Sequence, residues 1–253
     1  MKPTTTANRK PIAILVYHQI APAPPKGTPF RSLCVSPTAF ARQMALLRML
    51  GYTGLSMTAL EPYLRGERDG KVFGITFDDG YQNNLTNALP VLQRNGFSST
   101  CYAVSGLMGQ TNVWDKDIGV PQTPLMTEAE LRQWVAGGQE VGSHTDQHVN
   151  LMEASDSVAE ADMQRGKAVL ESVLGTPVTQ FCYPYGRYES RHRAMVDALG
   201  FATATTTARS RCLAGMDMLE LPRVPVHRST SLPVLWMKLA SAYEDRHDEP
   251  SAN

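Results

Sequence analysis

One alternation recurs along the chain: a short apolar run of strand length, then a stretch whose apolar residues return with helical period. That order favours β/α units over a sandwich, in which strands would follow one another directly. The apolar runs cover residues 12–17, 72–77, 98–104, a short segment through Val141, 178–183, 201–205 and 219–226. Helices are predicted over 37–50, 83–95, a segment from Thr127 to near Gly137, 155–174, 190–199 and 232–243. Their ends carry signals: Ser36 can cap the helix that Pro37 begins, Thr127 and Glu130 have capping-box spacing, and Gly96 and Gly175 stop helices. No linker or internal repeat divides residues 1–253, so one catalytic domain is expected, with residues 1–10 and 244–253 flexible and the polar tail frayed from Glu244. Loops 21–30, with four prolines, and 106–124 are long enough to form or cover a site.

Composition narrows the possible partners. Hydrophobic residues at 42% suffice for a core, and 24 Lys+Arg against 24 Asp+Glu leave no basic surface for a phosphate backbone, so nucleic acid is excluded as a partner. Cys34, Cys101, Cys182 and Cys212 form no C-x-x-C pair and read as small buried hydrophobes. The polar start and the six-residue run at 12–17 do not make an export signal, and nothing approaches the roughly 20 apolar residues of a membrane span. A cytoplasmic location follows as the expectation.

Two motifs suggest chemistry. In Thr76-Phe77-Asp78-Asp79-Gly80 a turn at the glycine can bring two adjacent carboxylates to one site, although Asp-Gly is also a common solvated turn. His144-Thr-Asp-Gln-His148 sets two imidazoles four residues apart, and with a carboxylate from elsewhere they would form a two-His-one-carboxylate set with open positions, the hydrolytic arrangement. Position adds weight, because catalytic groups of α/β barrels sit where strands end. Here His18, Asp78 and Asp79, His144, and the Tyr183-Pro184-Tyr185-Gly186 turn each close an apolar run.

Together with Phe181-Cys-Tyr-Pro-Tyr-Gly186, these segments resemble the first three motifs of the polysaccharide deacetylases, carbohydrate esterase family four, over about residues 12–228. The resemblance implies a single distorted (β/α) barrel of about seven strands and a metal-dependent hydrolase that removes acetyl groups from N-acetylated sugars, here an N-acetylglucosamine-containing glycan. By motif, Asp79, His144 and His148 would hold one divalent metal ion, Asp78 would be the general base, and the Pro184–Tyr185 turn would offer a backbone N–H to the oxyanion. Zinc is the default ion for such ligands, with cobalt, nickel or iron able to replace it.

Two departures bear on mechanism. His18 ends the first strand rather than a late one, which resembles the circularly permuted poly-N-acetylglucosamine deacetylases and makes His18 the general acid, with His227 as the alternative. The arginine of the usual Arg-Pro-Pro-Tyr motif is replaced by Cys182, and Arg223, near the end of the 219–226 run, could orient the base from another direction. Trp114 and Trp134 are expected as packing groups and Trp236 in the core, with a place lining a sugar groove the alternative for Trp114 beside Asp115. His192 and His247 receive no role. Deacylation of a small or lipid- or nucleotide-linked amide, and non-catalytic sugar binding, are the alternative functions.

Overall fold

The computed structural model describes residues 10–245. Ten strands and seven helices alternate along it: β1 (Ile14–Tyr17), β2 (Gln19–Ile20), β3 (Cys34–Val35), α1 (Pro37–Met49), β4 (Thr53–Leu55), α2 (Met57–Leu64), β5 (Val72–Phe77), α3 (Leu89–Asn95), β6 (Thr100–Ala103), α4 (Glu128–Ala136), β7 (Glu140–Ser143), α5 (Asp156–Leu174), β8 (Gln180–Cys182), α6 (Ser190–Ala198), β9 (Thr203–Arg209), β10 (Leu221–Pro225) and α7 (Leu232–Ala240). Seven parallel strands close a barrel in the order β1-β10-β9-β8-β7-β6-β5, with β1 completing the ring because Leu15 faces Val224 on one side and Ile75 on the other. The fold class is therefore the distorted (β/α) barrel expected from the sequence. All the strand C-termini reach one rim.

The distortion is located at β4. It pairs with the first half of β5, Gly54 opposite Phe73, on the edge where β6 pairs with the second half, Thr76 opposite Thr100. Gly54 permits the wedge, since a Cβ there would stand 2.5 Å from Ile75 Cδ1 and 2.9 Å from Phe97 Cγ. A three-residue run with a central glycine has no strand signal of its own, which is why β4 was not predicted. The two-residue pair β2–β3 and the eight-residue α2, interrupted by Pro62, were missed for the same want of length.

The longer predicted helices form as their caps dictate. Ser36 Oγ accepts from Ala39 N and turns Phe40, Met44 and Leu47 into the core; Thr127 and Glu130 complete a reciprocal box; Gly175, at φ 68, ends α5. Each fully buried Leu, Met or Phe contributes about 1.5–3 kcal/mol relative to exposure. Four predictions need correction. Residues 83–95 are not one α-helix, because a π-helical turn over Asn84–Ala88 precedes α3 and aims buried Asn84 at the end of β1, where its Nδ2 donates to His18 O at 2.8 Å. On α7, Leu235 and Leu239 form the buried face and Trp236 is 49% exposed, so Trp236 is not core. The closing helix stops at Ala240 rather than at 243, and Glu244 is not frayed: it is fully buried, bonded by Arg209 at 2.9 Å and by Lys238, while Asp245 pairs with Arg211.

Trp134 is buried as expected, all four cysteines are buried and free, and His192 is unexpectedly buried in α6. The flexibility expected of residues 1–9 and 246–253, and His247 with it, lies outside the described residues. Among the described residues no helix is long and apolar enough to cross a membrane.

Candidate active site

Five barrel strands supply the rim. His18 follows β1, Asp78 and Asp79 follow β5, His144 follows β7, the Pro184–Gly186 turn follows β8, and Arg223 lies on β10. Adjacent strand residues would point to opposite faces, but Asp79 adopts φ 75 and Gly80 φ 76, so the chain turns and both carboxyls enter one cleft. Left-handed backbone recurs at Thr145 (φ 65), His148 (φ 56) and Tyr185 (φ 59). Each is a sparsely populated conformation for a side chain with a Cβ, and such strain gathers at functional sites.

Asp78 is held by a buried fork. Arg223, 1% exposed, donates from Nη1 to Oδ1 at 2.6 Å and from Nη2 to Oδ2 at 2.7 Å, and its Nε is fixed on Thr206 O at 2.9 Å. Burial pushes the Asp78 carboxyl up, but the Arg223 charge and hydrogen bonds outweigh it and hold the group below its ordinary value. The same guanidinium lies 3.3 Å from Cys182 Sγ, so the small residue at the motif's arginine position leaves room for an arginine arriving from β10. His18 stands over the other edge of the acid, Nε2 4.0 Å from Asp78 Oδ2, with its side chain 26% exposed to the cleft.

Asp79 faces the two imidazoles. Its Oδ1 lies 3.5 Å from both His144 Nε2 and His148 Nε2, and all three groups are buried. Two ligands each about 2.1 Å from a tetrahedral ion stand roughly 3.4 Å apart, so this spacing fits a shared divalent cation better than direct hydrogen bonds. The donor set agrees, since one carboxylate and two imidazoles suit zinc, cobalt, nickel or iron. His144 is oriented by Nδ1 at 2.8 Å from Cys182 O. His148 Nδ1 has no partner; its ring is held instead between Trp114, stacked at 4.3 Å and 17°, and the edge-on ring of Tyr185 at 4.6 Å. Burial lowers His148, and Asp79 offsets this only in part, whereas at His144 the neighbouring Cys182 and Asp79 outweigh burial and raise the imidazole.

The segment carrying both histidines is clamped from two sides. Asp162 of α5 accepts from Asp146 N at 3.2 Å and Gln147 N at 3.1 Å, and Gly166 brings α5 so close that a Cβ would stand 2.6 Å from the Thr145 carbonyl carbon. From the other side Ser105 Oγ donates to Asp146 Oδ1 at 2.6 Å and Gly106 N to Asp146 O at 2.8 Å. Asp146 is thus occupied with the loop and not with the cluster. In the next turn Pro184 is buried, Tyr185 lines the cleft with its side chain 42% exposed, and Gly186 packs where a Cβ would meet Thr207 Oγ1 at 2.0 Å.

The cleft is about 380 Å³, and both long loops line it, the first through Pro22, Pro29 and Phe30, the second through Trp114 and Asp115. His227, half-buried two residues past the end of β10, does not line it. The sequence did not reveal Asp162 or single out Asp115. Each is one acid on a helix or turn, without a strand end or a paired motif to mark it.

Comparison with known proteins agrees with this geometry. The profile described as polysaccharide deacetylase matches residues 65–204, more than half of the chain. YxkH of Bacillus subtilis (strain 168) is 25% identical over 217 residues, 85% of this chain and 71% of its own length. Among solved structures, IcaB from Ammonifex degensii superposes with a TM-score of 0.76 at 26% identity, covering 89% of this chain and 95% of the other. The Streptococcus pyogenes deacetylase PplD, in complex with acetate, gives a TM-score of 0.79 at 24% identity and covers 96% of this chain and all of its own. The chain belongs to the polysaccharide deacetylase family.

Proposed function

We propose that the protein is a metal-dependent N-deacetylase of an N-acetylglucosamine-containing polysaccharide or oligosaccharide. The observation that carries this reading is the convergence of Asp79, His144 and His148 with the Asp78–Arg223 pair and His18 in one cleft. Asp79, His144 and His148 would hold the ion, zinc first. When bound, a divalent ion supplies polarisation of the acetamide carbonyl and acidifies the attacking water. Asp78, kept ionised by Arg223, takes the proton of that water as general base. His18, 4.0 Å from Asp78 and open to the cleft, gives a proton to the leaving amine nitrogen. The backbone N–H of Tyr185, in the turn that begins with Pro184, donates to the oxyanion as the tetrahedral centre forms. His227 is the weaker candidate for the acid, since it lies outside the cleft and burial, then Lys238 and Arg209, lower its pKa.

Acetate release from N-acetylglucosamine oligomers, acetylated xylan and small amides tests the proposal. The metal-loaded protein should act on the glucosamine oligomers, and chelation should abolish release. Asp78→Asn and His18→Ala should each lose about 100-fold or more in kcat. A protein that binds metal but frees no acetate from any oligomer would refute the carbohydrate assignment.

A further inference from the structure

One acid in the cleft has no part in that chemistry. Asp115, on the Val113–Ile118 turn, is only 8% exposed and lines the cleft together with Asp79, Tyr81 and Tyr185. Among the described residues no lysine, arginine or histidine comes within 4.0 Å of its carboxyl. Burial, and then the charge of Asp79, pushes its carboxyl up to about 6. A buried carboxylate without a cation is costly, and the other two acids of the cleft already have a place, Asp78 on Arg223 and Asp79 in the cluster with His144 and His148. The stack of Trp114 on His148 fixes the turn relative to the metal cluster, so Asp115 keeps a defined place beside the reacting unit.

An uncompensated carboxylate that shares the cleft with Trp114, Tyr81 and Tyr185 suits a cationic group of the substrate. The reaction proposed above makes such cations, since every acetamide hydrolysed on a polymer leaves a primary amine that is protonated at neutral pH. Resting on that reading, we propose that Asp115 determines specificity by binding the ammonium of a glucosamine unit that adjoins the N-acetyl unit under attack. The protein would then favour chains that are already partly de-N-acetylated.

Calorimetry with two tetramers tests this on the whole protein: fully N-acetylated chitotetraose, and the same chain with glucosamine in place of some units. The mixed tetramer should bind the unaltered protein about tenfold tighter or more, with the advantage shrinking at high salt. Asp115→Asn, which keeps an acceptor oxygen but no charge, should lose this preference as fully as Asp115→Ala. Equal binding of the two tetramers by the unaltered protein overturns the proposal whether or not the variants fold. So does a preference retained in Asp115→Asn, which would mean recognition of a neutral hydroxyl. Acetate release from chitotetraose is read in parallel; its absence refutes the deacetylase reading, while the binding comparison still decides the role of Asp115.

Discussion

At Arg223 a single side chain makes good a substitution made elsewhere. Cys182 vacates the position where the family motif carries arginine, and the guanidinium from β10 enters the space beside its sulfur to grip Asp78 with two bonds. Replacing Arg223 with methionine should lower kcat/KM by roughly 10–100-fold, as losing an orienting partner commonly does. It should also cost about 3–5 kcal/mol of stability, because Asp78 is then a buried charge left alone. The pH dependence separates these effects. Asp78 is depressed in the folded protein, so its pairing stabilises above the ordinary carboxyl pKa and this contribution fades as pH falls through the lowered value. Without Arg223 the main influence opposing burial is gone and only the charges of His18 and His144 still lower the group, so the carboxyl rises and the acid limb of kcat/KM should move to higher pH; a limb that stays put would separate Arg223 from the base. Residues such as Asp78, Asp79 and His144 were legible because polar groups at the ends of apolar runs stand out, and Arg223 because it is a charge inside such a run. Asp115 and Asp162 were not, being two among 24 acids with no run to punctuate.

At the scale of elements, α5 acts as a brace for the segment between the two histidines. Thr145 and His148 are held at positive φ, and the hydrogen bonds from Asp146 N and Gln147 N to Asp162 stabilise that path. Gly166→Ala would force α5 away from Thr145, and Asp162→Ala would leave two inward amides unpaired. Either change should weaken zinc binding by about tenfold or more and lower stability by about 1–3 kcal/mol, read by metal titration and by denaturant unfolding. Zinc affinity unchanged in both variants would show that the histidines hold their geometry without the helix. The elements that form the barrel were readable because each contributes several consecutive apolar residues. What escaped was short or irregular: Gly54 makes β4 a wedge through absent bulk, Pro62 hides α2, and the π-turn at Asn84 exists for a tertiary bond to His18 O that no local pattern encodes.

Across the whole molecule, the cluster joins parts of the chain that fold separately in sequence. Asp79 belongs to the end of β5 and the histidines to the segment after β7, and β1, which closes the ring between β5 and β10, brings His18 to the same rim. An ion held by all three ligands binds only the closed barrel, so its binding free energy adds to folding. At zinc concentrations about 100 times the dissociation constant this amounts to about 2.7 kcal/mol. For a domain of this size each kcal/mol shifts the melting temperature by about 2–4 °C, so the protein should melt roughly 5–10 °C higher with zinc than after chelation. His148→Ala should erase the difference, because it removes one of the three groups of the cluster, 3.5 Å from Asp79. Scanning calorimetry with and without zinc reads both quantities. A zinc-dependent rise that survives in His148→Ala would put the ion somewhere other than between Asp79, His144 and His148, and the base and acid assigned to Asp78 and His18 would lose the reference point around which the cleft is arranged.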